Sequence, residues 1–255
     1  MWELIVNTLT NLLIWIYQLV GKNFGLAIIL FTVLIKLVTY PLQAKQIRSA
    51  RAMQQLQQSK EWQNMLKKYR DDKEKLAQEQ MRLYREKGIS PFDSCLPMFI
   101  QLPILFALYQ SIVRALASSP LQLIYLARGV FPVFDAEKLI PLNSKFLWMN
   151  LGQPERIYVF GIAIPLLAIL VALTTYIQSK LTIPPPAPDN PADPNAQTGQ
   201  MMAYIMPLMM AWITYSLASG LAVYFIVSNI LGVVQQALMG QVYWSNLFPE
   251  KGGKK

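Results

Sequence analysis

The stretch that most constrains this chain is Asn23 to Gln43, NFGLAIILFTVLIKLVTYPLQ. It is long and apolar enough for a helix to cross roughly 30 Å of hydrocarbon. Yet it holds a cation, Lys36. On a helix, Thr32, Lys36, Thr39 and Gln43 fall on one face, and the opposite face is Ile, Leu and Val. A charge inside a membrane helix is costly, so a polar stripe of this kind must face water, protein or cargo.

Composition agrees with a membrane solvent. The chain of 255 residues is 54% hydrophobic and 15% charged, where a soluble domain has about a quarter of its residues charged. Several long windows carry almost no charge. Of the 23 Lys and Arg, twelve lie between Lys45 and Lys87 against six acids, which places that region on the cytoplasmic side. The net charge of +9 also invites a nucleic-acid reading. There is no Gly-rich RNA-binding motif and little aromatic interleaving, so no DNA partner is expected. Contact of the basic region with ribosomal RNA or anionic lipid stays open. There is no His and one Cys, Cys95. That rules out an intramolecular disulfide, a zinc site of ordinary ligands and histidine acid–base catalysis. The first residues lack a positive n-region and a cleavage site, so no signal peptide is expected.

Taken in order, residues 1–22 read as an external amphipathic helix lying in the interface, with a further span as the rival reading. Gly21-Lys22-Asn23 separates it from the first span, 23–43, which is expected to continue helically past Pro41. Residues 44–90 switch to Gln, Lys, Arg and Glu, with Met53, Leu56, Trp62, Leu66 and Tyr69 at near-helical spacing. Arg70-Asp71-Asp72 reads as a turn, with Asp71 and Glu74 fitting a capping box. The result is an antiparallel helical hairpin on the cytoplasmic side. Residues 91–181 hold a second span, Phe92 to Ala117, and a third, Ile157 to Gln178, around an external loop. Residues 182–199 contain six Pro and read as a cytoplasmic linker without a core. Residues 200–243 hold the fourth span, Met201 to Leu217, and the fifth, Leu221 to Met239, joined by an external turn at Ser219-Gly220. A short basic tail, 244–255, ends the chain. The fold expected is an all-α membrane protein with five transmembrane helices, N-terminus outside and C-terminus cytoplasmic. The hairpin and the tail agree on that orientation.

Three strings carry a resemblance: NFGLAIILFTVLIKLVTYPL, SPFDSCLPMFIQLPILFALY and SGLAVYFIVSNILGVVQQ. Together, and in this order, they resemble the signature segments of the YidC/Oxa/Alb membrane protein insertases. The resemblance covers nearly the whole chain and is far more specific than one short motif. It looks like the compact five-span bacterial form, without the large periplasmic domain of many Gram-negative members. It implies a hydrophilic groove enclosed by the five helices, open to the cytoplasm and to lipid. It implies insertion of hydrophobic segments of nascent proteins in the bacterial plasma (cell inner) membrane, alone or with the Sec translocon. No enzyme activity, cofactor or nucleotide is implied. The bland reading of the hairpin is a solvated spacer, and its functional reading is a docking surface for the ribosome, a targeting receptor or the nascent chain.

Lys36 stands where the family usually has Arg, a residue that attracts polar or acidic parts of the substrate. Lys keeps the charge without the planar fork. The bland reading of Lys36 is snorkelling to the interface. The other groove candidates are Thr32, Gln43, Gln101, Thr174, Gln178, Tyr224 and Ser228, together with Phe225. Tyr224 and Phe225 match the family's paired aromatics, which contact the substrate helix. For the polar candidates, interhelical hydrogen bonding is the competing role, worth about 0.6 kcal/mol in membranes. A small transporter is the alternative class, but the spans carry no carboxylate or His relay and no inverted repeat.

Overall fold

The computed structural model describes residues 2–69, 72–88, 96–116, 126, 142–159, 162–182 and 194–246. The chain divides into two compact units, one of Met1–Leu37, Ile104–Thr182 and Ala203–Lys255, the other of Val38–Pro103 and Ile183–Met202.

In the first unit, α1 (Trp2–Leu19) ends where Gly21 and Lys22 turn left-handed, and the Lys22 N–H returns to the Tyr17 carbonyl at 3.0 Å. That bond satisfies one of the carbonyls a helix end leaves open. Asn23 then caps α2 (Phe24–Gln57), its side-chain oxygen accepting from the Leu26 N–H at 3.1 Å. The break expected at Gly21-Lys22-Asn23 is therefore present. So is the continuation of α2 through Pro41, inside one helix of 34 residues.

The core of this unit is built from α1 (Leu13, Ile14, Ile16), α2 (Phe24, Ile28, Phe31) and the later part of α5 (Leu96–Leu116; Leu108, Ile112). Leu167 and Val171 of α6 (Leu166–Thr182) and Leu221 and Ala222 of α8 (Ser219–Leu238) complete it. Close approach depends on small residues. A Cβ on Gly25 would run into the Phe146 ring, and one on Gly220 would meet Ile112, Ile28 and the Leu151 carbonyl at 3.1–3.2 Å.

Two short antiparallel ribbons lie outside the helices. β1 (Lys145–Phe146) pairs with β2 (Met149–Asn150), and β3 (Ile157–Val159) with β4 (Ile162–Ile164). The second ribbon corrects the expected third span. The helix there is α6, and it opens only at Leu166; Ile157–Val159 and Ile162–Ile164 are strands. β-Branched residues favour the extended form, and Pro165 fits the position just ahead of a helix. Its carbonyl takes the first helical bond, from Ile169 N–H at 3.1 Å.

The turn before α8 also shifts. Ser219 and Gly220 open the helix and are not the turn itself, which falls on Leu217-Ala218. Their N–H groups donate to the Gln153 and Leu151 carbonyls, each at 2.9 Å, and the Ser219 hydroxyl donates to the Asn150 carbonyl at 2.8 Å. The ribbon loop thus satisfies orphan donors at the start of α8. The helix α7 (Pro194–Ser216) starts inside the stretch expected to be a linker, because Pro suits the first helical position. Residues 183–193 of that stretch lie outside the described residues.

In the second unit, α2 stops at Gln57 and Ser59 caps α3 (Lys60–Lys68), accepting from the Trp62 N–H at 3.2 Å. This break is not evident in the spacing. Asp72, one residue later than expected, caps α4 (Lys73–Glu86) by accepting from the Lys75 N–H at 3.1 Å. Arg70 and Asp71 lie outside the described residues. The Trp62 and Tyr84 rings meet at 5.3 Å and Lys87 pairs with Glu61 at 3.0 Å, so the start of α3 faces the end of α4. That is the expected antiparallel hairpin. Leu56, Trp62, Met65, Leu66 and Leu83 form its own small core.

Candidate functional site

The polar stripe of α2 has the expected order but graded burial. Thr32 is fully buried, and its hydroxyl donates to the Ile28 carbonyl at 2.6 Å, one turn back along its own helix. Lys36 is half-buried, while its neighbours Leu37 and Val38 are exposed. Gln43 is half-buried and donates to the Thr39 hydroxyl at 3.0 Å, which confirms their shared face. Thr32 is therefore a packing residue here and presents no open hydroxyl. Gln43 belongs to the second unit. So does Gln101, in the first half of α5, and its side chain lies outside the described residues.

The predicted residues of α6, Thr174 and Gln178, meet α8 at Asn229 and Gly232. The Asn229 amide donates to the Thr174 hydroxyl at 3.1 Å and the Thr175 hydroxyl at 2.9 Å. Thr174 in turn donates to carbonyls of its own helix. One turn on, the Gln178 side chain lies over Gly232, where a Cβ would come within 2.6 Å of its amide nitrogen. This is a polar seam between two apolar helices. The Thr174 hydroxyl thus takes part in an interhelical hydrogen bond. Asn229 holds the seam and was not among the predicted residues. An Asn inside an apolar span was the available signal, since such groups seek partners.

Tyr224 and Phe225 are in ring contact, centroids 5.5 Å apart. They differ in access. Tyr224 is buried in the core, whereas Phe225 packs only partly against it. Ser228, one turn further along α8, is half-buried. Gln235 is buried too, and its amide nitrogen meets no acceptor among the described residues.

A second cation escaped the sequence reading. Arg114, near the end of α5, donates to both carboxylate oxygens of Glu3 at 2.7 and 2.9 Å and to the Asn7 side chain at 3.0 Å. Trp2 donates to Gln110 at 3.0 Å, and the Ser111 hydroxyl lies 3.2 Å from the Val6 carbonyl. These bonds fasten α1 along α5. A bidentate guanidinium–carboxylate pair is the geometry that gives such a tie direction as well as strength.

Comparison with known proteins places this arrangement. The family described as 60Kd inner membrane protein matches residues 15–245. The membrane protein insertase YidC 2 of Bacillus anthracis is 33% identical over 241 residues, covering 93% of this chain and 80% of that protein. The membrane protein insertase MisCA of Bacillus subtilis (strain 168) is 34% identical over 257 residues, 98% of this chain and 84% of that protein. The membrane protein insertase YidC of Fusobacterium nucleatum is 34% identical over 235 residues, 91% of this chain and 95% of that protein. A crystal structure of an active YidC insertase with its first transmembrane domain resolved is similar with a TM-score of 0.53 and 24% identity. That match covers 95% of this chain and 47% of the solved one, so this chain spans about half of it, and the likeness speaks for the fold. The match over most of the length shows that the chain belongs to the 60Kd inner membrane protein family, that of the YidC insertases.

Proposed function

We propose that this protein inserts hydrophobic segments of nascent proteins into the lipid bilayer and helps them fold there. The observation that carries the reading is Lys36, a half-buried cation in the apolar part of α2, within a unit whose exposed side chains are largely apolar. Relatives that are membrane protein insertases align over more than nine-tenths of the chain, which supports the same role.

In this reading five spans surround a hydrophilic groove in the bacterial plasma membrane. The N-terminus is outside, α1 lies in the outer interface, and the hairpin and tail are cytoplasmic. The charge bias of residues 45–87 supports that orientation. Lys36 draws a short polar or acidic stretch of the substrate inward. Gln178 and Ser228 offer further polar contacts, and Phe225 offers an apolar edge to the substrate helix. Thr32, Thr174 and Tyr224 form the wall behind them. Gln43 and Gln101 are groove candidates on sequence position. The groove lowers the desolvation cost of moving unpaired polar groups, several kcal/mol each in an apolar medium. Transfer of the apolar segment then drives completion at roughly 25 cal/mol per Å². The Sec translocon, a targeting receptor and the ribosome are proposed partners on the side of the hairpin.

The test is insertion of a substrate with an acidic translocated segment into vesicles holding the full chain. Lys36→Ala should impair it, and Lys36→Arg should retain it because the charge is kept. Full insertion by Lys36→Ala at equal protein level rejects the role of the charge. Photocrosslinking from positions 36 and 225 to a stalled nascent chain checks the path.

A further inference from the structure

A second cationic cluster lies away from Lys36. Lys180, in the last turn of α6, donates to the Tyr204 hydroxyl of α7 at 3.2 Å. Its ammonium sits over two rings, 5.0 Å from the Tyr204 centroid and 5.7 Å from that of Tyr176. The two rings lie 5.9 Å apart. The backbone beneath is fixed: the Asn246 amide donates to the Lys180 carbonyl and the Tyr243 N–H to the Leu181 carbonyl, each at 2.9 Å. We propose that Lys180, Tyr204 and Tyr176 form a binding site for the phosphate of an anionic phospholipid.

Three features carry this. First, the donors converge. An ammonium has three N–H groups, and the bond to Tyr204 uses one. Tyr204 accepts that bond, so its own O–H remains to donate, and the rings hold the cation between them. Second, the charge is not cancelled, since among the described residues Lys180 has no carboxylate partner. Third, the cluster borders an apolar surface that suits acyl chains. Ile205 and Leu208 are exposed on α7 beside Tyr204, and Trp244 is exposed beyond the end of α6. Tyr, Trp and Lys at the end of an apolar helix suit the headgroup level, where a basic residue meets anionic lipid. A soluble anion would need the donors but not the apolar flank, which favours a lipid as the source.

The site rests on the membrane placement of α6 and α7 and is independent of insertion. The full chain is purified in neutral detergent, and retention of phosphatidylglycerol against phosphatidylcholine is read by native mass spectrometry. The wild type should prefer phosphatidylglycerol by about fivefold, the scale of one basic residue facing an anionic surface. Lys180→Ala should abolish the preference, and Lys180→Arg should keep it. Tyr204→Phe retains the ring and its packing, so it keeps the test decisive if Lys180→Ala folds poorly, and it should lower the preference. An unchanged preference in Lys180→Ala or Tyr204→Phe overturns the site, as does a wild type with no preference. Displacement of the lipid by inorganic phosphate at equal concentration overturns the lipid as its ligand. Loss of insertion activity alone bears on Lys36 and leaves this result untouched.

Discussion

The helical bundle and the hairpin are built by opposite rules. In the hairpin, residues 44–88, Met81 is the one large apolar side chain exposed among the described residues, while Trp62, Met65, Leu66 and Leu83 are buried. In the bundle, Leu4, Leu19, Leu208, Trp212 and Leu238 lie on the outside. Its buried polar residues include Asn11, Thr32, Ser111, Thr175 and Gln235. The hairpin is arranged for water and the bundle for lipid. In lipid the outside gains nothing from being polar, and cohesion comes from close packing and internal hydrogen bonds. One chain obeys both rules because α2 runs from one regime into the other as a single helix.

The sharpest way to break this comparison is to truncate the hairpin's core. Trp62 is fully buried, so Trp62→Ala should cost about 3–5 kcal/mol of local stability by lost transfer and cavity. Hydrogen exchange across α3 and α4 should rise sharply, while exchange in α6 and α8 stays unchanged. Trp62→Phe is the control, and it is expected to be mild. The indole N–H finds no acceptor among the described residues, so that change removes a buried group that is already unsatisfied. Protection of α3 unchanged in Trp62→Ala would mean that the hairpin has no core of its own.

Next in size is a charge placed on each exterior. Leu208 is 71% exposed on α7 and Met81 is 40% exposed on α4. If the bundle's exterior is lipid, Leu208→Lys should cost about 2.5–3.5 kcal/mol in membrane insertion at mid-span. Met81→Lys should fall within about 0.5 kcal/mol, like other surface changes. The yield of each variant in the membrane fraction checks this. Equal yields would return α7 to an aqueous surface.

The same contrast explains what the sequence made legible. The apolar run of α2, its start at Asn23 and its passage through Pro41 could be read directly, because length and capping residues suffice. The helical character of the hairpin followed from 3.6-residue spacing, but the break between α2 and α3 did not. Nor was the start of α6 legible. Ile157 to Ile164 is as apolar as a span, and a short apolar run does not say strand or helix until its partner is known. The helical start at Pro194 was hidden by the Pro count around it. At the candidate site, Lys36 stood out because a cation in an apolar run is rare. The periodicity that placed Thr32 on a polar face, and the resemblance that singled out Tyr224, could not tell that both are buried. Asn229 was missed for the same reason: its role lies in α6, fifty-five positions back in sequence.

Asn229 supplies the next test. Asn229→Ala removes two bonds to α6, together about 1 kcal/mol at the average of roughly 0.6 kcal/mol each in membrane proteins. A cycle with Thr175→Ala should show that the two changes are not additive. Insertion activity should fall less than it does in Lys36→Ala, since the seam joins helices. A deeper loss of insertion than of stability would move Asn229 from the wall to the substrate path.

The smallest effects come from two exposed carboxylates, one in each region, and they separate the regions by cause. Glu3 is held below the usual carboxylate range first by its hydrogen bond from Arg114, and Asp72 first by the Lys75 backbone N–H. A carboxyl held low in the folded state favours that state above its unfolded value, and the contribution is lost as pH falls through the folded one. Acidification below the ordinary carboxylate range should therefore release both α1 from α5 and the first turn of α4. Salt should divide them. At neutral pH, moving from about 0.1 M to about 1 M shortens the screening length from roughly 10 to roughly 3 Å. The Glu3 tie depends on a full charge on Arg114 and should weaken, exposing α1 to protease. The Asp72 cap depends chiefly on a local bond to a backbone amide, so the Lys75 N–H should keep its protection from exchange. If salt loosens both alike, the cap of α4 is held by the 3.3 Å Lys75–Asp72 ion pair instead.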